Sequence, residues 1–127
     1  MKKETSAAPP TPVEECRGLA QIIDRVGDKW TVMVVGHLSS GTLRFNELMR
    51  CIPGISHRML TLTLRALERD GLVDRTSYPT SPPRVDYALT ALGQSLTEPL
   101  RLLAVWASDR REDIAAAQRA YDARLKG

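Results

Sequence analysis

Four polar side chains between residues 57 and 65 are spaced so that one face of a helix would carry them all. They are His57, Arg58, Thr61 and Arg65, and positions three or four apart share a helix face. Side chains of these types bind base edges and phosphate oxygens when a helix enters the major groove of DNA. We therefore predict a DNA-contacting face here, on which Leu62 would meet a thymine methyl group.

The flanking residues predict one amphipathic helix with defined ends. Leu60, Leu64 and Leu67 recur at helical spacing on the opposite side. Ser56 stands where an N-cap is expected and Gly71 where a helix ends in a left-handed turn. The amide at Ser56 would also face a phosphate, since a helix N-terminus favours anions. By itself, however, a basic stripe also fits an ordinary solvated helix face.

The net charge supports the DNA-binding interpretation. The whole charge of +3 arises between residues 44 and 84, where seven arginines stand against four acidic residues; the rest of the chain has eleven of each sign. Arginine suits a phosphate backbone because its planar guanidinium binds two oxygens at once. The central third of the chain is therefore expected to meet an anionic partner.

Other function classes find little support in the 127 residues. His37 and His57 lie in different predicted helices without metal-ligand spacing, and the sequence has no P-loop, GxSxG, HExxH or GxGxxG pattern. Cys16 and Cys51 are too far apart for a CxxC metal site. No stretch reaches the ~18 apolar residues of a membrane span, and no signal peptide is evident. We expect a cytoplasmic protein that is not an enzyme and has no cofactor, metal or membrane partner.

Periodicity and turn residues predict the order of the elements. Residues 1–12 form a predicted disordered N-terminal arm, and residues 13–127 a single domain. Helices are predicted at 13–26, 29–39, 44–51 and 56–70, a hairpin at about 73–89, and a long helical region at about 90–127. Asp28 and Thr90 are further predicted N-caps, and Gly36 suggests close packing against another helix. Core positions are predicted at Trp30, Phe45, Leu48, Leu60, Leu64, Leu67, Leu72 and Leu89.

Helices that end in the basic one and lead into a two-stranded wing predict a winged helix-turn-helix fold, mainly α with a small β-hairpin (α+β). In that arrangement Arg84, on the hairpin, would reach a minor-groove edge or a phosphate. A solvated hairpin charge is the alternative. The final helices have few elements to cover them, so Trp106 is expected to lie in a contact between two copies.

Short motifs spread from Cys16 to about Trp106 carry a family resemblance. They include Lys29-Trp30, Arg44-Phe45, Glu47-Leu48, Pro53-Gly54-Ile55-Ser56, Asp70-Gly71-Leu72-Val73, Pro83-Arg84-Val85, Leu89-Thr90 and Gly93. With these motifs the chain resembles the HxlR family of bacterial winged-helix transcriptional regulators, which are MarR-like. Asp28 and His57 depart from the usual pattern, so the family's operator is not carried over.

The resemblance implies a homodimer formed through the first helix and the C-terminal dimerisation helices. Its interface would include Leu19, Ile23, Leu103 and Trp106. Two recognition helices would then read a pseudo-palindromic double-stranded DNA operator. The alternative is a helical module that binds only other proteins, and that alternative predicts no salt-dependent DNA binding.

Cys16 has two interpretations. Some members of this family sense oxidants or electrophiles through an N-terminal cysteine, and Arg17 together with the nearby helix start would favour the thiolate. An oxidant or small-molecule effector would then be a further partner. In the other interpretation Cys16 is a small apolar residue on the core side of the first helix, since free cysteine is commonly buried and inert. Cys51 would serve as a resolving thiol only if it came near a Cys16.

Overall fold

Six helices and three short strands follow one another along residues 12–127, which the computed structural model describes apart from the side chains of Pro12 and Glu14. They are α1 (Pro12–Val26), α2 (Lys29–Leu38), β1 (Leu43–Arg44), α3 (Phe45–Cys51), α4 (His57–Arg69), β2 (Val73–Tyr78), β3 (Arg84–Leu89), α5 (Ala91–Asp109) and α6 (Arg111–Lys126). The predicted N-terminal arm lies outside the described residues except for Pro12, which begins α1.

Three helices begin at the predicted N-caps. Asp28 accepts hydrogen bonds from two backbone amides of α2, both at 3.1 Å. The Oγ atom of Ser56 accepts from the amide of Met59, and the Oγ1 atom of Thr90 from the amide of Gly93, each at 3.0 Å. Each cap satisfies an amide that has no partner within its helix and contributes about 1 kcal/mol.

The end of α4 requires glycine. Gly71 has φ of +78°, a left-handed conformation that costs energy in residues with a Cβ atom. Its amide donates to the carbonyl of Glu68 at 3.0 Å, and the amide of Leu72 donates to the carbonyl of Leu67 at 2.9 Å. These two bonds form a Schellman motif, so the chain turns sharply from α4 into β2.

The strands form an antiparallel sheet in the order β1-β3-β2. The predicted hairpin is β2 and β3, which pair along their whole length and form the wing. The sheet also has a strand that was not predicted: β1 pairs Leu43 with Tyr87 and Arg44 with Asp86. Two residues are too few to show an alternating pattern, so only the folded chain reveals this strand.

The hydrophobic core lies between α2, α3, α4 and the sheet. Five of the eight predicted core residues, all leucines, are buried: Leu48, Leu60, Leu64, Leu67 and Leu72. Trp30, Phe45 and Leu89 are only half-buried and pack at its edge. The prediction for Gly36 was wrong, because this glycine is exposed and a Cβ atom there would meet nothing within 4 Å.

Much of α1, α5 and α6 lies outside this core. None of the residues of α6 is buried, and neither is any side chain described in α1. Their apolar side chains are instead exposed, including Val13, Leu19, Ile22, Ile23, Leu102, Leu103, Val105, Trp106, Ile114, Tyr121 and Leu125. An apolar surface of this extent on one chain is typical of an interface.

Candidate nucleic-acid interface

The buried and the exposed residues of α4 lie on different sides of the helix. Leu60, Thr63, Leu64 and Leu67 are buried. The predicted contact residues lie away from them: Ser56, His57, Arg58, Leu62 and Arg65 are exposed, and Thr61 is half-buried. The structure therefore places five of the seven predicted DNA-contacting residues on the solvent side of α4 and a sixth, Ser56, at its N-cap.

Two of these side chains are held by local contacts. The ring of His57 lies 4.7 Å from the ring of Phe45, measured between centroids, with the planes tilted by 49°. This contact joins the start of α4 to the start of α3. The Oγ1 atom of Thr61 donates to the carbonyl of His57 at 2.9 Å, which leaves its lone pairs free as acceptors. Arg58 and Arg65 have no ion pair among the described residues.

A groove of about 500 Å³ separates α4 from the wing. His57, Thr61 and Arg65 line it from α4, and Arg75 lines it from β2. Arg75 was not among the predicted site residues. It faces the groove because it pairs with Tyr87, which also lines the groove, and paired residues project to the same face of a sheet. The pairing register was the missing information.

The predicted wing residue, Arg84, is held by its neighbours. Its Nε and Nη2 atoms donate to the two carboxylate oxygens of Asp86 at 3.0 and 2.9 Å. Its guanidinium carbon lies 5.0 Å from the centroid of the Tyr78 ring. The hydrogen bond from Arg84 lowers the pKa of Asp86, and the same bond raises the pKa of Arg84. Arg84 is thus an ordered cation at the start of β3.

A second basic recess, of about 730 Å³, lies between α3 and the wing tip, which is the loop that joins β2 to β3. Arg84 lines it from the wing, and Arg44 and Arg50 line it from the other side. Glu47 also lines it and accepts a hydrogen bond from the backbone amide of Arg44 at 2.7 Å. The recess therefore continues the arginine-rich surface from the wing to α3.

A cavity of about 770 Å³ lies between α1, the end of α4 and the start of α5. An ion pair borders it, in which the Nε atom of Arg25 donates to Oδ2 of Asp70 at 2.7 Å. Its apolar lining consists of Ile22, Val26, Leu72, Leu92 and Leu96. The cavity joins the proposed dimer elements to the C-terminal end of α4.

The residues predicted for a dimer contact, Leu19 and Ile23 on α1 and Leu103 and Trp106 on α5, are each more than half exposed. Cys16, also on α1, is exposed and free. The interpretation of Cys16 as a residue buried in the core of its own chain was therefore wrong. The reason is that α1 covers the hydrophobic core only with its last turn, where Arg25 and Val26 are half-buried.

Among the side chains that the structure describes, no three His, Cys, Asp or Glu residues come together as a metal site. Within residues 12–127, no helix is both long enough and apolar enough to cross a membrane.

An N-capped basic helix beside a hairpin wing defines a DNA-binding winged helix-turn-helix protein. The chain belongs to the HxlR-like helix-turn-helix family, whose model matches residues 25–115. It is therefore a transcriptional regulator of the helix-turn-helix type, as the sequence resemblance predicted.

Known relatives agree with this assignment. The chain is 41% identical to the HTH-type transcriptional regulator YtfH of Escherichia coli (strain K12) over 73% of each chain. Among solved structures, the transcriptional regulator ytfH from Salmonella typhimurium is similar at a TM-score of 0.73 and 36% identity, over 80% of this chain and 90% of that one. The redox regulator HypR in its reduced form is similar at a TM-score of 0.73 and 37% identity, over 78% and 98%.

Proposed function

We propose that the protein is a homodimeric, sequence-specific regulator that reads a pseudo-palindromic operator with α4 and the wing. One observation carries this proposal: α4 exposes Arg58 and Arg65, free of ion pairs among the described residues, on the side opposite its buried leucines. Because the buried leucines pack α4 against the core, its exposed side can enter the major groove while the core stays covered. Its place of action would be the cytoplasm, and its activity would be binding rather than catalysis.

Each contact residue has a role that fits its chemistry. Arg58, Arg65 and His57 would donate to base edges or phosphates, and Thr61, whose hydroxyl proton is donated to the carbonyl of His57, would accept from a base edge. Leu62, which is exposed, would contact a thymine methyl group. The backbone amide at Ser56 would face a phosphate at the helix N-terminus.

The apolar surface of α1, α5 and α6 supports the proposed dimer. Exposing Leu19, Ile23, Leu103 and Trp106 to water is unfavourable by ~25 cal/mol for each Å² of apolar area. A second copy is a fitting partner because identical apolar faces can pack about a twofold axis. Such a dimer would present two α4 helices to half-sites about one helical turn apart, roughly 34–36 Å.

A titration of the purified protein against DNA tests this function. Fluorescence anisotropy would compare the DNA upstream of its own gene with a scrambled duplex of equal length, at two salt concentrations. We expect tighter binding to the upstream duplex and a log affinity that falls linearly with log salt, because neutralised phosphates release counterions. Binding to neither duplex at low salt would favour the alternative of a protein-interaction module.

A response to oxidants or electrophiles through Cys16 is the second part of the proposal. Its support is the exposure of Cys16 on a proposed dimer helix and the similarity to HypR, which is named a redox regulator. Diamide would take two electrons and two protons from the thiol of Cys16 and a second thiol near it in the dimer, and the two sulfur atoms would then form a disulfide. We expect diamide to change the operator affinity of the wild type and to leave Cys16→Ser unchanged. Equal responses would remove Cys16 from the proposal.

A further inference from the structure

The wing carries an acidic side chain, Asp86, directly beside Arg84. Asp86 lies two residues from Arg84, and its side chain is only 9% exposed. A carboxylate near the DNA backbone opposes binding, because it repels the phosphates that arginine attracts. Charge alone therefore gives Asp86 no part in DNA binding, and its contacts indicate a different one.

The contacts of Arg84 restrict its guanidinium from two sides. Both oxygens of Asp86 accept hydrogen bonds from it, at 3.0 and 2.9 Å, and the ring of Tyr78 lies 5.0 Å from its central carbon. A bidentate pair fixes the plane of the guanidinium as well as its position. Two of the five N–H groups are used in this way, so three are left for a further acceptor.

Asp86 is itself well fixed. It lies on β3, the central strand, where it pairs with Arg44 of β1 on one side and Thr76 of β2 on the other. The positive charge of Arg44 also favours its ionised form. The carboxylate thus belongs to the rigid sheet, whereas the arginine that it holds is nearly half exposed.

We propose that Asp86 is a positioning residue for DNA binding, which holds the guanidinium of Arg84 ready for a DNA acceptor beside the groove that α4 enters. This inference rests on the proposed function, because it requires that Arg84 contacts DNA. An unrestrained arginine would lose conformational freedom on binding, and the pair with Asp86 removes that loss in advance. The repulsion between Asp86 and the phosphates opposes this gain, and the sign of the effect of Asp86→Asn decides which of the two is larger.

A double-mutant cycle tests the proposal by the sign of its effect. The operator affinities of the wild type, Arg84→Ala, Asp86→Asn and the double variant would be measured by anisotropy. Charge alone predicts tighter binding by Asp86→Asn, whereas positioning predicts binding about three- to tenfold weaker, within the usual coupling of contacting residues. In the Arg84→Ala background, Asp86→Asn should weaken binding no further.

Glu98→Gln is the matched control. Glu98 and Arg101 form the same kind of bidentate pair, at 3.0 and 2.7 Å, on α5, so breaking this pair should leave the affinity unchanged. Asp86→Glu keeps the charge and should bind better than Asp86→Asn. Circular dichroism would establish that each variant is folded. If Asp86→Asn does not fold, Asp86→Glu replaces it in the double-mutant cycle.

Three results would overturn the proposal. Unchanged or tighter binding by Asp86→Asn would leave only the charge effect. Equal weakening by Asp86→Asn with and without Arg84 would mean that Asp86 supports the sheet rather than Arg84. An Arg84→Ala variant with full affinity would remove the wing contact from the proposed function too, whereas α4 is tested separately through Arg58.

Discussion

The Nε atom of Arg25 lies 2.7 Å from Oδ2 of Asp70, and this ion pair joins the last turn of α1 to the residue that ends α4. The two helices have different proposed tasks, since α1 carries Cys16, the proposed sensor, and α4 carries the proposed DNA-contacting face. A movement of α1 within a dimer would act on α4 through this contact. We therefore propose this pair as a physical route from the proposed sensor to the DNA.

Breaking this pair should affect the oxidant response more than stability. Arg25 and Asp70 are 41% and 30% exposed, and exposed ion pairs contribute at most about 1 kcal/mol. We expect the free energy of unfolding of Asp70→Asn to lie within about 1 kcal/mol of the wild-type value. We also expect diamide to change its operator affinity less than it changes that of the wild type. Denaturant titration and anisotropy measure the two quantities. An undiminished diamide response would rule out this route.

Removing one arginine from α4 should weaken DNA binding and spare the fold. We expect Arg58→Ala and Arg65→Ala each to weaken binding by about 1–3 kcal/mol if they contact bases. If they contact phosphates, the salt slope should fall by about 1. Both residues are exposed, so circular dichroism should be unchanged. Arg111→Ala, the same substitution on α6, should bind like the wild type, and unfolding of either α4 variant would contradict the placement of these side chains.

The apolar faces of α5 and α6 predict a weaker dimer when Trp106 is removed. Large aromatic side chains at the centre of an interface typically contribute about 2–4 kcal/mol. We expect Trp106→Ala to raise the monomer fraction in analytical ultracentrifugation at micromolar concentration. Leu62→Ala removes an exposed apolar side chain from α4 and should leave the dimer intact. An unaltered Trp106→Ala dimer would place the interface elsewhere.

Asp86 predicts a particular response to acid. Its pKa is lowered in the folded chain, mainly by the hydrogen bond from Arg84. The stability that this gives is therefore present above the ordinary value of 3.8 and is lost as the pH falls through the lower folded value. Thermal melts between pH 5 and pH 2 should show a shallower acid decline for Asp86→Asn than for the wild type. Parallel declines would contradict the shift.

Two glycines in helices should respond to alanine with opposite signs. A Cβ atom at Gly93 would overlap the backbone carbonyl of Leu72, so Gly93→Ala should destabilise the fold by about 1–3 kcal/mol or more. Gly36 is exposed within α2 with free space around it. Gly36→Ala should therefore stabilise the fold by about 1 kcal/mol, through helix propensity. Thermal unfolding of both variants would measure the difference.

Features that depend on neighbours in the sequence were predictable. The caps at Asp28, Ser56 and Thr90 depend on bonds that span two or three residues, and the face of α4 follows from helix periodicity. The left-handed turn at Gly71 could be predicted for the same reason. These elements fix most of the candidate interface before any tertiary contact is known.

Features that depend on pairing between distant residues could not be predicted. The short strand β1 exists only because β3 lies beside it, and Arg75 joins the groove only through the register of β2 with β3. The bidentate contact of Arg84 with Asp86 depends on side-chain conformations, which the alternation of a strand does not specify. Gly36 shows the converse, since its sequence context suggested a close contact that the helix packing does not make.

The pairing of β1 with β3 has a mechanical consequence. β1 leads without a break into α3, and His57 at the start of α4 rests on Phe45 at the start of α3. These contacts therefore hold the wing and α4 at a fixed spacing. In the proposed binding mode, a duplex whose grooves do not match the spacing between α4 and the wing would have to bend or twist to be bound, and we therefore expect the stiffness of the DNA to contribute to selectivity.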